Sequence, residues 1–271
     1  MLSILAKGAV GHPSAVVTGN IAKTDGLQLA VRATNPLNFR DISDNEYTLS
    51  KIGTGTLLTP QGILSNGSNG VLVSGFDEAS YDEFTLMGVM GVDANPTQAL
   101  GLHNFMAGSW QENTKGMGLL MLNDFISASE FHQTIRAVYY GRRTTTDELR
   151  YVFANRVIGV TPVVNTSFPY HYIAMTQDIL PDGGTEQRLY VPSIDTTPTI
   201  VTTLSSSSIS YSSAARSPNM TGRDFRIGSV ADPTNFESTV HTAKTKETLF
   251  YGNCLTPQEV EDQYQATKKW L

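Results

Sequence analysis

The chain has 271 residues, of which 40% are hydrophobic and only 16% charged, and its formal net charge is −6. The charged fraction falls well below the roughly 25% of an average soluble domain, and the acidic balance leaves no basic footprint for nucleic acid. A lone cysteine, Cys254, excludes an intrachain disulfide, so packing alone must hold the fold.

Ser, Thr, Asn and Gly take the place of the missing charges. Such a surface hydrogen-bonds without strong fields and suits neutral partners, tight assemblies or turn-rich β proteins. The sequence holds no run of about 18 apolar residues that would cross a membrane as a helix. Residues 1–10 lack the basic and long apolar regions of a signal peptide, so synthesis in the cytoplasm without one is expected.

Residues 1–26 are small and polar, with Val16 and Val17 as the marked β signal; they read as an N-terminal arm or an added edge strand. Residues 27–271 read as one β-domain. Leu27, Leu29 and Val31 alternate with Gln28, Ala30 and Arg32, the pattern of a half-buried strand. Asn35-Pro36 and Asp44-Asn45 are turn pairs, residues 65–70 form a loop, and Val71-Leu72-Val73 returns as a strand. Residues 83–92 are nearly all apolar or small, as in a central strand covered on both faces. Gly88 and Gly91 within it imply a close neighbour or a bulge.

Residues 100–106 and 117–122 continue a meander, and 134–140 and 149–160 read as further strands, with the turn between them at 141–144. Aromatic and β-branched residues alternate over 169–176. Asp182-Gly183-Gly184 then makes a hairpin turn into a strand at 187–191. The Ser/Thr-rich stretch 202–219 reads as a strand-loop excursion, and residues 225–229 alternate again. The chain ends in a helix. Thr256 is its N-cap, Pro257 holds the first helical position, and Glu259 completes a capping box. Leu255 and Val260 form a hydrophobic staple, with Tyr264 and Thr267 on the same face as Val260.

Four segments together resemble the concanavalin A-like lectin/glucanase superfamily, in the laminin-G-like form found in bacteriophage tail and virion proteins. Asp41-Ile42-Ser43-Asp44-Asn45 resembles its D-x-S-G-N turn, and Phe84-Thr85-Leu86 its F-T-h core strand. Tyr170-His171-Tyr172-Ile173-Ala174-Met175-Thr176 followed by Arg188-Leu189-Tyr190-Val191 resembles W-H-H-h-A-h-T … h-Y-h-N-G. Phe225-Arg226-Ile227-Gly228, then residues 249–260, resembles h-x-I-G … h-Y-N-R-A-L-[ST]-x-x-E-I. Tyr170 stands where the pattern has Trp, Pro192-Ser193 where it has Asn-Gly, and Asn253-Cys254 where it has Arg-Ala. The resemblance implies an all-β fold: a two-sheet antiparallel jelly-roll β-sandwich with a short C-terminal α-helix. It also implies loops gathered on one rim, where sugars or protein partners bind.

The chemistry of an enzyme is hard to find. A retaining glucanase needs two carboxylates about 5 Å apart, and side chains i and i+2 on a strand share a face. No Glu-x-Asp-x-x-Glu occurs, and the adjacent Asp147 and Glu148 would point to opposite faces or form a charged turn. The five histidines (12, 103, 132, 171 and 241) show no metal-ligand spacing, and no Gly-x-Ser-x-Gly elbow is present. His171 reads as a packed core or rim residue, and Cys254 as a small buried hydrophobe. Asp41 with Asp44, or Asp93 with Asn95, offers hard oxygen ligands that suit calcium, although the same residues build turns. No other cofactor is expected. Trp110, Tyr211 and Asp147 are the candidate ligand-binding residues.

The function expected is that of a non-catalytic virion or tail-associated bacteriophage protein. It would bind host cell-surface carbohydrate or a neighbouring virion subunit and form a homo-oligomer. The alternatives are a glycan-active enzyme or its carbohydrate-binding accessory module, and a purely structural adaptor or decoration protein.

Overall fold

The computed structural model describes residues 21–33, 39–66, 69–93, 103–109, 116–143, 149–161, 168–203, 209–210, 225–229, 242–268 and 271. In chain order the strands are β1 (Leu27–Arg32), β2 (Thr48–Ile52), β3 (Leu57–Thr59), β4 (Gly62–Asn66), β5 (Gly70–Ser74), β6 (Phe84–Val92), β7 (His103–Gly108) and β8 (Gly116–Ser127). They continue with β9 (Glu130–Arg143), β10 (Leu149–Thr161), β11 (Phe168–Ile179), β12 (Thr185–Val191), β13 (Asp195–Thr203), β14 (Ile209–Ser210), β15 (Phe225–Ile227) and β16 (Thr242–Tyr251). The helix α1 (Pro257–Thr267) closes the chain.

Two antiparallel sheets result. The first runs β13-β12-β11-β6-β16-β4-β3, with β1 beside β16; the second runs β10-β9-β8-β7-β15-β5-β2, with β14 beside β9. Neighbours distant in sequence pair at the centre of each sheet, so the two sheets form a jelly-roll sandwich rather than two meanders. β6 lies between β11 and β16, and all nine of its residues are buried. That explains why its sequence lacks polar alternation.

The core between the sheets is aromatic at one end. Phe76 meets Phe225 and Phe250 with ring centroids 5.0 and 4.9 Å apart, and Phe84 stacks on Phe250 at 5.8 Å. Phe225 lies in the second sheet, whereas Phe84 and Phe250 lie in the first, so these rings tie the two layers. Each such pair adds about 0.5–1.5 kcal/mol beyond its area burial.

A second apolar cluster covers the outer face of the first sheet. Ala30, Met87, Val89, Tyr172, Ala174, Leu249 and Tyr251 point outward there and meet Leu255 and Val260 of the helix segment. Thr256 caps the helix: Glu259 N donates to its Oγ1 at 3.3 Å, and its own N–H donates to Glu259 Oε2 at 2.8 Å. Leu255 and Val260 are both buried, as the staple requires. Residues 21–23 clamp the same helix. Ile21 is buried in the cluster, Ala22 N donates to Gln263 Oε1 at 2.7 Å, and Lys23 pairs with Glu259.

This layer also buries an ion pair. Arg32 and Glu247 stand opposite each other on β1 and β16, and Arg32 Nε donates to Glu247 Oε2 at 2.6 Å. Glu247 is fully buried. Burial pushes its carboxyl pKa up, against the opposing pull of the Arg32 guanidinium and the Gln263 amide. Such a pair is weak net stabilisation, but losing one partner strands the other in an apolar layer.

The structure corrects several expectations. β1 is not half-buried: its last four residues are buried on both faces, because α1 and residues 21–23 cover the side meant for solvent. The turn at 141–144 is displaced, since β9 runs through Arg143 and Arg142 pairs with Leu149. Strand pairing with β10 extends the ladder past a glycine-arginine sequence that reads locally as a turn. Residues 100–102 of the strand expected at 100–106 lie outside the described residues, and β7 covers the rest of it. The arm's Val16 and Val17, the Asn35-Pro36 turn and most of 202–219 lie outside the described residues.

Gly88 is where β6 and β16 approach most tightly. A Cβ there would sit 2.0 Å from the Glu247 carbonyl oxygen. Gly88→Ala should therefore cost about 3 kcal/mol or more, or prevent folding, by forcing the central strands apart; urea unfolding measures this. Arg32→Met and Glu247→Leu should each cost about 3–5 kcal/mol alone, while the double variant recovers most of that loss. Additive losses in the same urea titrations would mean that the buried pair is not coupled.

Candidate functional site

The outer face of the first sheet changes character beyond the helix. Along β6 the outward residues run Met87, Val89, Gly91, and the helix cluster ends at Val89. Gly91 carries no side chain and is buried, with the backbone of β11 close against it. β11 bulges opposite it, between Phe168 and His171. The bulge is possible because a Cβ on Gly91 would meet the Phe168 and Pro169 carbonyl oxygens at 3.0 Å.

Tyr170 sits in that bulge, and its ring meets side chains of β16. Its hydroxyl donates to the Gln61 carbonyl, just before β4. Two lysines of β16 pack on the ring: Lys246 Nζ lies 3.9 Å and Lys244 Nζ 4.9 Å from its centroid. Both distances are in the range of a cation–π contact. Asp93, at the end of β6, pairs with Lys244 at 2.5 Å. Burial, then Asp93, pushes the Tyr170 hydroxyl pKa up to about 12, so it stays a neutral donor. Burial and the neighbouring Lys244 push the Lys246 ammonium pKa down. The site is thus two partly desolvated cations held on an aromatic ring, with one carboxylate and one carbonyl at its border.

His171 lies next in the chain. Its Nδ1 is 3.1 Å from Ser193 Oγ in the β12–β13 turn, and its Nε2 is buried without a hydrogen-bond partner among the described residues. Burial lowers its pKa. On the second sheet a different arrangement occurs: Arg136 lies 4.9 Å from the Phe153 ring and donates to Asn155 Oδ1 at 2.7 Å. That face is an exposed ladder of neighbours on β9 and β10, with no cleft formed by the residues named.

Of the residues singled out from sequence, Trp110, Tyr211, Asp147 and Asn95 lie outside the described residues. Asp41 and Asp44 are not brought together as an open carboxylate pair. Asp41 is buried, and its two oxygens accept from Ala30 N, Ser43 N, Ser43 Oγ and Tyr47 N at 2.8–3.0 Å. Those donors make Asp41 the pin that ties the turn to β1; Asp44 is exposed in the turn itself. Among the described residues no group of three or more His, Cys, Asp or Glu side chains could hold a metal ion. Leu255, Thr256, Glu259 and Val260 seat the helix and take no part in the lysine–tyrosine site. Cys254 is half-buried rather than fully buried, and burial pushes its thiol up to about 11, so it stays protonated at neutral pH.

Sequence reasoning missed Tyr170, Lys244 and Lys246 as a group. A signal existed: Lys244 and Lys246 are two apart on one strand, and Tyr170 stands where the pattern that this segment resembles has Trp. Nothing local says that β11 and β16 are both neighbours of β6.

This architecture places the chain among the jelly-roll-like β-sandwiches with one C-terminal helix. No protein-family model and no curated protein matches the sequence. Solved structures do match in fold. The binding domain of botulinum neurotoxin DC in complex with SialylT superposes with a TM-score of 0.58 at 9% identity, over 90% of this chain and 52% of that one. The botulinum neurotoxin serotype D binding domain gives 0.56 at 10% identity, over 89% of this chain and 52% of that one. Trypanosoma rangeli sialidase in complex with sialic acid gives 0.51 at 14% identity, over 98% of this chain and 39% of that one. The chain therefore spans about half the length of the neurotoxin domains and less of the sialidase.

The lowered His171 pKa has a consequence for stability. A folded value below 6.5 means that the unfolded chain takes up the proton first as pH falls. The His171 contribution is therefore present above pH 6.5 and lost as pH falls through the folded value. Urea midpoints should drop between about pH 7 and pH 5, and His171→Gln should flatten part of that drop. An identical slope in the variant would remove His171 as a source.

Proposed function

We propose that this chain is a non-catalytic, lectin-like binding protein whose ligand is a glycan, and that it serves on the tail or surface of a bacteriophage virion. The observation that carries the glycan reading is the part-exposed Tyr170 ring, set in a strand bulge with Lys244 and Lys246 on it, the Gln61 carbonyl at its hydroxyl and Asp93 paired to Lys244. Sugars offer hydroxyls and ring oxygens to such donors and acceptors, and apolar C–H groups to the face of an aromatic ring. Sites of this kind need few residues on a rigid scaffold.

The neighbours in fold support the reading. One was solved in complex with SialylT, one with sialic acid, and the neurotoxin type C structure concerns interaction with two ganglioside molecules. The virion setting rests on the resemblance of residues 225–228 and 249–260 to the laminin-G-like form. A homo-oligomer and protein partners in the particle belong to the same proposal, and calcium remains a candidate ligand to be tested by titration.

A glycan array with the full chain tests the central claim, with mass photometry for the oligomer. Binding to at least one glycan is expected, with affinity falling about tenfold or more in Tyr170→Ala, as for an aromatic anchor. Release of sugar from any bound glycan would overturn the non-catalytic part. A folded chain that binds no glycan would overturn the whole.

A further inference from the structure

The two ammonium groups at Tyr170 narrow the class of glycan. Lys244 and Lys246 project from the same outer face of β16, and both lie on one ring, so their charges are held together rather than spread into solvent. Like charges at close range repel, which Asp93 relieves at Lys244 by a 2.5 Å ion pair. The ring fixes the directions of the lysines, and a half-buried position thins their hydration. Both effects reduce the ordering and desolvation that an anion must otherwise bring about on binding.

We propose that this site takes a sugar bearing an acidic group, a carboxylate or a sulfate, whose anion lies between Lys244 and Lys246. The inference rests on the glycan reading above and sharpens it to acidic glycans. The acidic oxygens would accept from the two ammonium groups as charge-assisted hydrogen bonds. Neutral hydroxyls of the same sugar would face the exposed Gln61 and the Asp93 carboxylate. The lowered Lys246 pKa agrees with this, because the attraction of an anion would offset both the desolvation and the repulsion that lower it.

Asp93 supplies an internal competitor. It occupies Lys244 in the absence of ligand, so an incoming anion must share or displace it. Asp93→Asn should therefore raise the preference for acidic sugars over lactose, by freeing Lys244 for the incoming anion. A purely structural role for the ion pair would not produce that selectivity.

The test is calorimetric or NMR titration of the full chain with 3′-sialyllactose, 3′-sulfolactose and lactose, at low and high salt. At least one acidic trisaccharide or sulfated disaccharide should bind about tenfold more tightly than lactose, with the gap closing at high salt. The two acidic probes separate carboxylate from sulfate recognition. Lys244→Met and Lys246→Met should each weaken acidic-sugar binding about five- to tenfold, with Arg at either position restoring part of it. Thermal unfolding of each variant checks that it folds, and Tyr170→Phe, which keeps the ring, should retain binding within about twofold. Equal affinity for lactose, or acidic-sugar binding unchanged in the double Met variant, overturns this inference while the glycan reading stands. No binding to any glycan, on the array or in these titrations, overturns both.

Discussion

The whole molecule depends on the seating of β16. It enters the first sheet between β6 on one side and β1 with β4 on the other. All three pairings join residues far apart in sequence, and loop-closure entropy must be overcome before any of them stabilises the fold. The backbones of β6 and β16 come so close at Gly88 that no side chain fits against the Glu247 carbonyl. Once β16 is seated, Phe250 faces inward to the aromatic core and Leu249 and Tyr251 face outward to the helix. One strand thus locks both apolar layers.

The same strand divides the outer face into two territories. Near its C-terminal end the outward residues are apolar and lie under α1. Past Glu247 they become Lys246 and Lys244, beyond the helix. The buried Arg32–Glu247 pair sits at the border. A bulge between Thr245 and Glu247 resets the register there, and a second bulge in β11, opposite Gly91, carries Tyr170. Two local irregularities, aligned by the pairing of three strands, build the aromatic–cationic patch. Regular pleating at either place would send these side chains elsewhere, since a one-residue slip turns each to the opposite face.

Much of the fold was legible because its signals are local. The capping box, Pro257 and the Leu255–Val260 staple specify the helix from a dozen consecutive residues. The apolar run with two glycines identified β6 as a covered central strand. Asp182-Gly183-Gly184 marked the β11–β12 hairpin, where Gly183 has φ of 78°. The failures share one cause. β1 read as half-buried because its alternation cannot reveal a helix arriving from the far end of the chain. Gly141-Arg142-Arg143 read as a turn because local preference cannot show that β10 will pair across it.

Sequence by itself therefore determined most of the strands, the covered central strand and the capped helix. These follow from hydrogen bonding and side-chain periodicity within a few residues, whereas the two-layer β class came from the resemblance and Asp41 stayed open between turn former and calcium ligand. Only the tertiary structure decided that Tyr170, Lys244, Lys246 and Asp93 share one patch, and that Arg32 meets Glu247. Those encounters are set by strand order and bulge position, which arise from pairing between segments up to 215 residues apart and leave no trace in the spacing along the chain.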